Sequence, residues 1–497
     1  MNAHAPIQYP DKFFINGEWA KPSSSAKIDV INSATEEVYV SVAEAQEADV
    51  NRSVEAARKA FDRGPWPRLS HAERAKYLRA IGAEMSKKAD AAAHIWTTES
   101  GFVHRDAKPR AAALSGVYDY YAGLADTFPF QERHKTQAGG EVGLLVREPV
   151  GVVAAIIPWN APPMMIAYKC APALLAGCTI VLKASPEAPG AAYLFAEACE
   201  AAGLPPGVVN ILTAEREVSE LLVRSPGIDK VSFTGSTAAG RKIASICGER
   251  IARCTLELGG KSAAVILDDY DIGTAATTIT SRATALTGQI CSSLTRIVVS
   301  QKRHDALVEA LSANFAKVSV GDPFEASCGM GPLAMRRQRD RVESYIEKGK
   351  AEGATLATGG GRPAHLNRGF YIEPTVFGNV DNSSTIAREE IFGPVLSVIP
   401  AKNEENAVEI ANDTIYGLNA SVFTNDVERA YAVGRQLRSG TVGHNSMRSD
   451  FGIAFGGFKQ SGIGREGGTE GLLPFLETKT IVLDGMPATA GRIVNKM

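Results

Sequence analysis

Beyond Leu144, short β-branched runs alternate with stretches of helical periodicity, and this constrains the chain more than any other feature. The runs at 150–157, 179–182, 208–212 and 230–234 are short and rich in β-branched residues, so each reads as a strand. Strands separated by helices pair in parallel, giving a doubly wound sheet with a crevice at the strand ends. A second series follows at 262–267, 295–299, 395–399 and 420–423, set off from the first by Gly259-Gly260, which reads as a hinge. The expected fold class is α/β, with two doubly wound, Rossmann-like domains.

Outside the two series, an opening hairpin is followed by alanine-rich stretches at 49–63 and 71–98 that carry charges at helical spacing and read as helices. The strand-like segments 140–148 and 479–483 lie just outside the α/β series and are expected to pair as an arm reaching a neighbouring subunit. Of the 497 residues, 45% are hydrophobic and 22% charged, enough apolar surface for more than one core. Fifty-three basic against 55 acidic side chains leave a net charge of −2, which argues against nucleic acid and anionic bilayers as partners. Pro6, Pro10, Asp11 and Lys12 interrupt the N-terminus, so it lacks the apolar core of a secretory signal. No apolar run is long enough to span a membrane. The seven cysteines are odd in number and scattered, without zinc spacing, and fit free thiols in a cytoplasm. No metal site is expected.

Of these thiols, Cys291 follows a turn, Gly288-Gln289-Ile290, where a nucleophile can be exposed and deprotonated. For the other six a small buried hydrophobe is the better reading. Glu257 sits in an otherwise apolar strand before Gly259-Gly260, where desolvation raises the pKa of a carboxyl toward the range of a general base. The alternative is an edge-strand glutamate facing water. Asn160, in Pro158-Trp159-Asn160 at the end of an apolar strand, is placed to donate to an oxyanion or simply to shape a turn. Gly235-Ser236 opens a helix running to Cys247 and offers backbone donors and a positive helix end to a pyrophosphate, or acts as a plain N-cap.

With these strings stand Lys183, Phe233-Thr234-Gly235-Ser236-Thr237, Glu389-Glu390-Ile391-Phe392-Gly393-Pro394 and Phe455-Gly456-Gly457-Phe458-Lys459-Gln460-Ser461-Gly462. Together, in this order over nearly the whole chain, they resemble the aldehyde dehydrogenase superfamily. The separation of Glu257 from Cys291 is similar to that of base and nucleophile in hydrolytic members. The resemblance implies a cofactor-binding domain from 1–129 and 150–259, a catalytic domain at 260–461, and a small β oligomerisation arm from 130–149 and 478–497. It implies thiolate attack by Cys291 on an aldehyde, an oxyanion held by Asn160 and the Cys291 N–H, hydride transfer to a nicotinamide, and hydrolysis of the thioester by water that Glu257 activates. Lys169 and Glu466 match positions that relay the proton; for both, a solvent-facing salt bridge is the alternative.

For the cofactor the resemblance implies Ile156, Trp159, Lys183, Ser185, Gly235, Ser236, Leu258, Gln338, Glu390 and Phe392. The expected cofactor is NAD, with NADP as the alternative, because Glu187 stands one place later than the ribose-binding glutamate of many NAD-preferring members. The loop Glu215-Arg216-Glu217 also carries charges of both signs, which leaves the choice open. Tunnel-bordering positions are Ala161, Met164, Met165, Tyr168, Thr284, Ala285, Ile290, Ser292 and Phe455. Small residues at Ala161, Thr284 and Ala285, where several relatives carry rings, imply a wide apolar passage for a medium or bulky aldehyde such as a terpenoid, aromatic or long-chain one. The alternative is that the methionines are core filling and specificity is broad. His444, Arg448 and Asp450 near the mouth read as solvated loop charges or as contacts to a polar substrate end. The expected partners are a small-molecule aldehyde and further copies of the chain in a homodimer or homotetramer. A CoA-acylating enzyme is disfavoured by Glu257, and a non-catalytic binding protein has no need of Cys291, Glu257 and Asn160 together.

Overall fold

The computed structural model describes residues 5–137, 139–488 and 494–495. It contains two large sheets. The first has eight strands in the order Gly462–Ile463, Arg253–Glu257, Lys230–Thr234, Val152–Ile156, Thr179–Ala184, Val209–Thr213, Phe13–Ile15, Glu18–Ala20. Its five central strands are parallel, while the hairpin at one edge and Gly462–Ile463 at the other run antiparallel. The four central strands up to Thr234 are the four runs expected from the sequence, shifted at their ends by one or two residues.

The second sheet has seven strands in the order Thr355–Thr358, Thr375–Gly378, Val395–Ala401, Leu294–Ser300, Ser262–Ile266, Asn419–Phe423, Thr441–His444. Its apolar strands are packed by helices on both faces, as their continuous hydrophobicity requires. Leu476–Leu483 pairs antiparallel with Val142–Pro149 in a separate four-stranded sheet, which forms the arm read from the sequence. Part of the segment assigned to that arm, residues 489–493 and 496–497, lies outside the described residues.

Two helices end earlier than expected. The stretch 71–98 divides into His71–Lys87 and Ala89–Ser100 at Lys88, whose ammonium is drawn to the buried Glu197 at 2.6 Å. The stretch 272–286 before Cys291, which the sequence reads as helical, forms a helix only over Ile272–Ala283, because Leu286, Thr287 and Gly288 all take left-handed backbone angles (φ 49°, 55° and 71°). Such a run costs free energy for the two residues with side chains and occurs where surrounding packing enforces it. A side chain at Gly288 would place its Cβ 2.4 Å from the backbone of Gly393, so this turn is pressed against the strand of the neighbouring loop.

Candidate active site

Cys291 lies between that left-handed turn and strand Leu294–Ser300 of the second sheet. The loop is held mainly by Gln289, whose side chain is fully buried. Its Nε2 donates to the carbonyls of Ser100 (3.2 Å) and Leu286 (3.0 Å), and its Oε1 accepts from the Ala334 amide at 2.9 Å. Asn160 Nδ2 in turn donates to the Gln289 carbonyl at 2.9 Å, which sets the amide beside the cysteine loop with one N–H engaged. Trp96 Nε1 donates to the Asn160 carbonyl (2.8 Å) and Ser100 Oγ to that of Trp159 (2.7 Å). Helix Ala89–Ser100, which carried no chemistry in the sequence reading, therefore braces both sides of the site. Gln289 was quoted only as part of a motif; a glutamine inside an apolar, turn-rich segment is the signal that pointed to it.

The Cys291 thiol is half-buried, and its pKa is pushed up to about 12, first by burial and then by the carboxylates of Glu390 and Glu257. This differs from the exposed, deprotonated thiol expected: desolvation and two acidic neighbours favour the proton on sulfur. Glu390 folds over the glycine pair, with Oε1 accepting from the Gly260 amide at 3.1 Å. A Cβ on Gly259 would fall 2.4 Å from Glu390 Oε2, and one on Gly260 2.4 Å from the Cys291 carbonyl. These approaches, rather than unusual backbone angles, require glycine there.

Glu257 is 2% exposed and covered at the sheet edge by Gly462–Ile463, so it is not an edge glutamate facing water. Burial, then Glu466, holds its carboxyl well above the usual carboxylate range, against the pull of Lys169 and Arg465. Neither of its oxygens accepts a hydrogen bond from any described residue. Behind it Lys169 Nζ donates to Glu466 Oε1 at 2.5 Å. The pair is an ion pair, as the alternative reading had it, but a buried one, with Lys169 at 0% and Glu466 at 3% exposure. Glu466 is tied through a backbone bridge to Phe455.

A cleft of about 520 Å³ opens at the carboxyl ends of the first sheet. Ile156, Trp159, Lys183, Ser185, Gly235 and Ser236 all line it, joined by Glu187, Glu215 and Arg216 and by Arg337 from helix Arg336–Ala351. Ser236 caps helix Thr237–Arg250, whose N-terminus faces the cleft. Lys183 is buried at its wall, and burial lowers its pKa to about 8 despite Glu187 and Glu215. Beside it the buried Thr234 hydroxyl has no partner among the described residues. A helix end for a pyrophosphate, with a lysine and a hydroxyl beside it for ribose and phosphate oxygens, fits a dinucleotide. Glu187 turns back onto Ser185 Oγ and is clamped by Arg337, so it occupies the cleft in spite of its displaced position.

Leu258, Gln338, Glu390 and Phe392 do not line that cleft. Leu258 packs on Gly240 of the capped helix, and Gln338 donates to the carbonyls of Ile391 (3.1 Å) and Phe392 (2.8 Å). Phe392, held at φ 62°, meets Trp159 edge-on at 5.3 Å. Around the thiol, Ala161, Met164 and Ile290 pack in one cluster with Trp96 and Leu286. Met165, Ser292 and Thr284 are buried, with the Thr284 hydroxyl spent on the Thr280 carbonyl; Ala285 is half-buried. Phe451, absent from the sequence reading, stacks between Tyr168 and Phe455 at 4.3 Å from each. These rings supply aromatic surface that the small residues at 161, 284 and 285 had suggested was missing. His444 Nε2 lies 3.0 Å from the Thr424 carbonyl, while Arg448 and Asp450 are exposed. Among the described residues, no His, Cys, Asp or Glu cluster is arranged to hold a metal ion, and no helix is long and apolar enough to cross a membrane.

A dinucleotide cleft in the same chain as a half-buried thiol flanked by a buried carboxyl defines a nicotinamide-dependent oxidoreductase. Residues 19–481 match the aldehyde dehydrogenase family, and the chain belongs to it. It is 41% identical over 473 residues to geranial dehydrogenase of Castellaniella defragrans, covering 95% of this chain and 98% of the relative. It is 40% identical over 490 residues to a chloroplastic betaine aldehyde dehydrogenase of Atriplex hortensis, covering 95% and 96%. Among solved structures, an AldC cysteine-to-alanine variant from Pseudomonas syringae in complex with NAD+ and octanal superposes with a TM-score of 0.93 at 39% identity, covering 99% of this chain and 100% of that one. The chain binds NAD and oxidises an aldehyde to a carboxylic acid with NAD(P)+ at a catalytic cysteine.

Proposed function

We propose that Cys291 is that cysteine, that Glu257 makes the enzyme hydrolytic, and that the substrate is a medium or bulky apolar aldehyde. The observation that carries the reading is the buried Glu257 carboxyl, without a hydrogen bond from any described residue and close enough to Cys291 to add to the rise of its pKa. Bound NAD supplies a hydride acceptor. The Cys291 thiolate forms a C–S bond to the aldehyde carbon, and the carbonyl electron pair moves onto oxygen. Asn160 Nδ2, which has a second N–H to give, and the Cys291 amide stabilise that oxygen. As the carbonyl re-forms, the hydride departs with its electron pair and a thioester remains. Glu257 takes one proton from water as the water oxygen bonds to the thioester carbon. The C–S bond then breaks and the thiolate returns. One aldehyde and one water thus give one carboxylate, a transferred hydride and two protons.

The apolar preference rests on Met164, Met165 and Ile290, the Tyr168–Phe451–Phe455 stack, and the likeness to a protein named for geranial and to another solved with octanal. A second reading, a quaternary ammonium aldehyde, is favoured by one observation: Asp450 lies near enough to Tyr168 to raise its pKa, and aromatic faces also attract cations. Residues 1–129 and 150–259 hold the cofactor in this proposal, and 260–461 supply the thiol. The arm, 130–149 and 478–497, joins copies into a homodimer or homotetramer in the cytoplasm. The test is NADH absorbance with octanal, geranial, acetaldehyde and betaine aldehyde, beside Cys291→Ala. Highest kcat/KM for octanal or geranial, lost in the variant, is expected. Preference for betaine aldehyde selects the second reading, and signal surviving in the variant removes Cys291 from the chemistry.

A further inference from the structure

Away from the thiol, the first turn of helix Arg336–Ala351 walls another cleft, of about 290 Å³, which shares no lining residue with the cofactor cleft. Its wall carries four guanidiniums, those of Arg336, Arg339, Arg362 and Arg368, and one carboxylate, Glu36. Arg336 and Arg339, three residues apart, share a helix face. Arg362 and Arg368 come from the loop between strands Thr355–Thr358 and Thr375–Gly378, and Glu36 from the turn after strand Lys27–Ile31. Gly369, at φ 95°, lets that loop close on the site: a Cβ there would fall 2.3 Å from the Tyr371 ring and 2.5 Å from the Ala34 carbonyl. The cations are only partly compensated. Arg362 bonds Glu343 twice, at 2.5 and 2.9 Å, and Arg368 lies 3.0 Å from Glu37, both carboxylates standing outside the wall. Glu36 is shared three ways: it pairs with Arg336, lies 3.8 Å from Arg339 Nη1, and accepts from the Gly369 amide at 3.1 Å. A guanidinium has five N–H groups, so these partners leave donors unspent. Arg339 is 4% exposed, and its Nη1 donates to the Gly369 carbonyl at 3.0 Å. Its Nε has no hydrogen-bond partner among the described residues, Asp340 Oδ1 lying 3.8 Å away. A buried donor without an acceptor is costly, and it separates this cleft from an ordinary solvated face of charges. Burial, then the like charge of Arg362, lowers the Arg339 pKa against the pull of Glu36, Glu343 and Asp340, so the two guanidiniums stand close enough to repel.

We propose that this cleft binds a small phosphate-bearing anion, free phosphate or a phosphomonoester, held by Arg339, Arg362 and Arg368. A phosphate dianion has acceptors for several guanidinium forks at once and brings two charges to a wall where cations outnumber carboxylates, whereas a carboxylate meets a single fork. The volume equals about ten liquid waters at roughly 30 Å³ each, room for the phosphoryl group and a short carbon chain. The site does not depend on how the thioester is resolved or on which aldehyde is oxidised.

The test titrates the NAD-loaded enzyme, in which the pyrophosphate position is filled, with inorganic phosphate and with glycerol 3-phosphate by isothermal calorimetry. Ionic strength is held constant at about pH 8, where a phosphomonoester with a second pKa of about 6 is a dianion. One saturable site is expected. Arg362→Gln and Arg368→Gln, each losing a half-exposed guanidinium, are expected to weaken it at least about fivefold, and Arg339→Met to abolish it. Arg282→Gln makes the same charge change on the exposed side of helix Ile272–Ala283, outside the cleft wall, and is expected to bind as wild type. Wild-type NAD affinity and melting temperature show that the variants with exposed changes are folded. Whichever phosphate binds more tightly identifies the source, free or organic. Heats that do not saturate, binding unchanged in both Arg362→Gln and Arg368→Gln, or equal weakening by Arg282→Gln overturns the proposal.

Discussion

The protonated state of Cys291 gives the most exacting test of the site. With its pKa pushed up to about 12, Cys291 is thiolate at pH 7 in a fraction on the order of 10⁻⁵, against a few per cent for an ordinary cysteine. Burial is the largest cause and Glu390 the next, so Glu390→Gln removes one negative neighbour while leaving the thiol desolvated. Glu390 itself titrates near 7, so its charge acts on the thiol only above that pH. Each unit by which the thiol pKa falls is worth about 1.4 kcal/mol and multiplies the thiolate tenfold. The assay is second-order alkylation by iodoacetamide, read at the Cys291 peptide by mass spectrometry between pH 6 and 11. In wild type the rate should climb about tenfold per pH unit except across the ionisation of Glu390 near pH 7, where about one decade of the rise is lost, and should show no plateau below pH 11. In Glu390→Gln it should be about tenfold faster at pH 9 and converge on wild type toward pH 6. A wild-type plateau near pH 8.5 would refute the desolvated thiol, and identical profiles would remove Glu390 from its surroundings.

Lys169→Met strands the Glu466 carboxylate in the interior and should destabilise the protein by about 3–5 kcal/mol, whereas the double change Lys169→Met/Glu466→Met should recover most of it. Thermal unfolding of the single and double variants checks this. Lys261 is buried, its ammonium has no partner among the described residues, and burial lowers its pKa to about 7. Its folded pKa lies below the unfolded value, so the folded state is penalised in full below pH 7 and less as pH rises toward 10.5. Lys261→Met should therefore stabilise the protein by roughly 4 kcal/mol at pH 7 and by little at pH 10, seen as a melting-temperature gain that shrinks with pH. Gly288→Ala forces a Cβ against the Gly393 backbone and should cut kcat by an order of magnitude or more through the displaced cysteine loop, with NAD affinity retained in a fluorescence titration.

The architecture was legible because strand and helix leave different periods in the sequence, and short apolar runs such as Val152–Ile156 have few other uses. Helix Arg336–Ala351 was not read: with so few apolar residues it shows little amphipathic pattern, yet it brings Arg337 to the cleft. The short strands Thr355–Thr358 and Thr375–Gly378 offer too few alternations to register. Within the site, Cys291, Glu257 and Asn160 stood out by type and company. What sequence could not carry was contact across long separations: the seat of Gln289 on Ser100, Phe451 between two rings, and the clamp of Arg337 on Glu187. The same blindness made Lys169 and Glu466 look like surface charges, since burial is a property of the folded whole.

The seating of Gln289 bears on the order in which the site is assembled during synthesis. The cysteine loop takes its left-handed turn with the Ser100 carbonyl on one side and the Ala334 amide on the other, segments made well before and after it. Until both have docked, Cys291 is an ordinary thiol on a slack segment, with neither Asn160 beside it nor Glu257 behind it. Such a thiol carries more thiolate than the finished site, so a nascent chain can capture an aldehyde before it has the groups to turn it over, and completing the fold quiets the sulfur as it equips it.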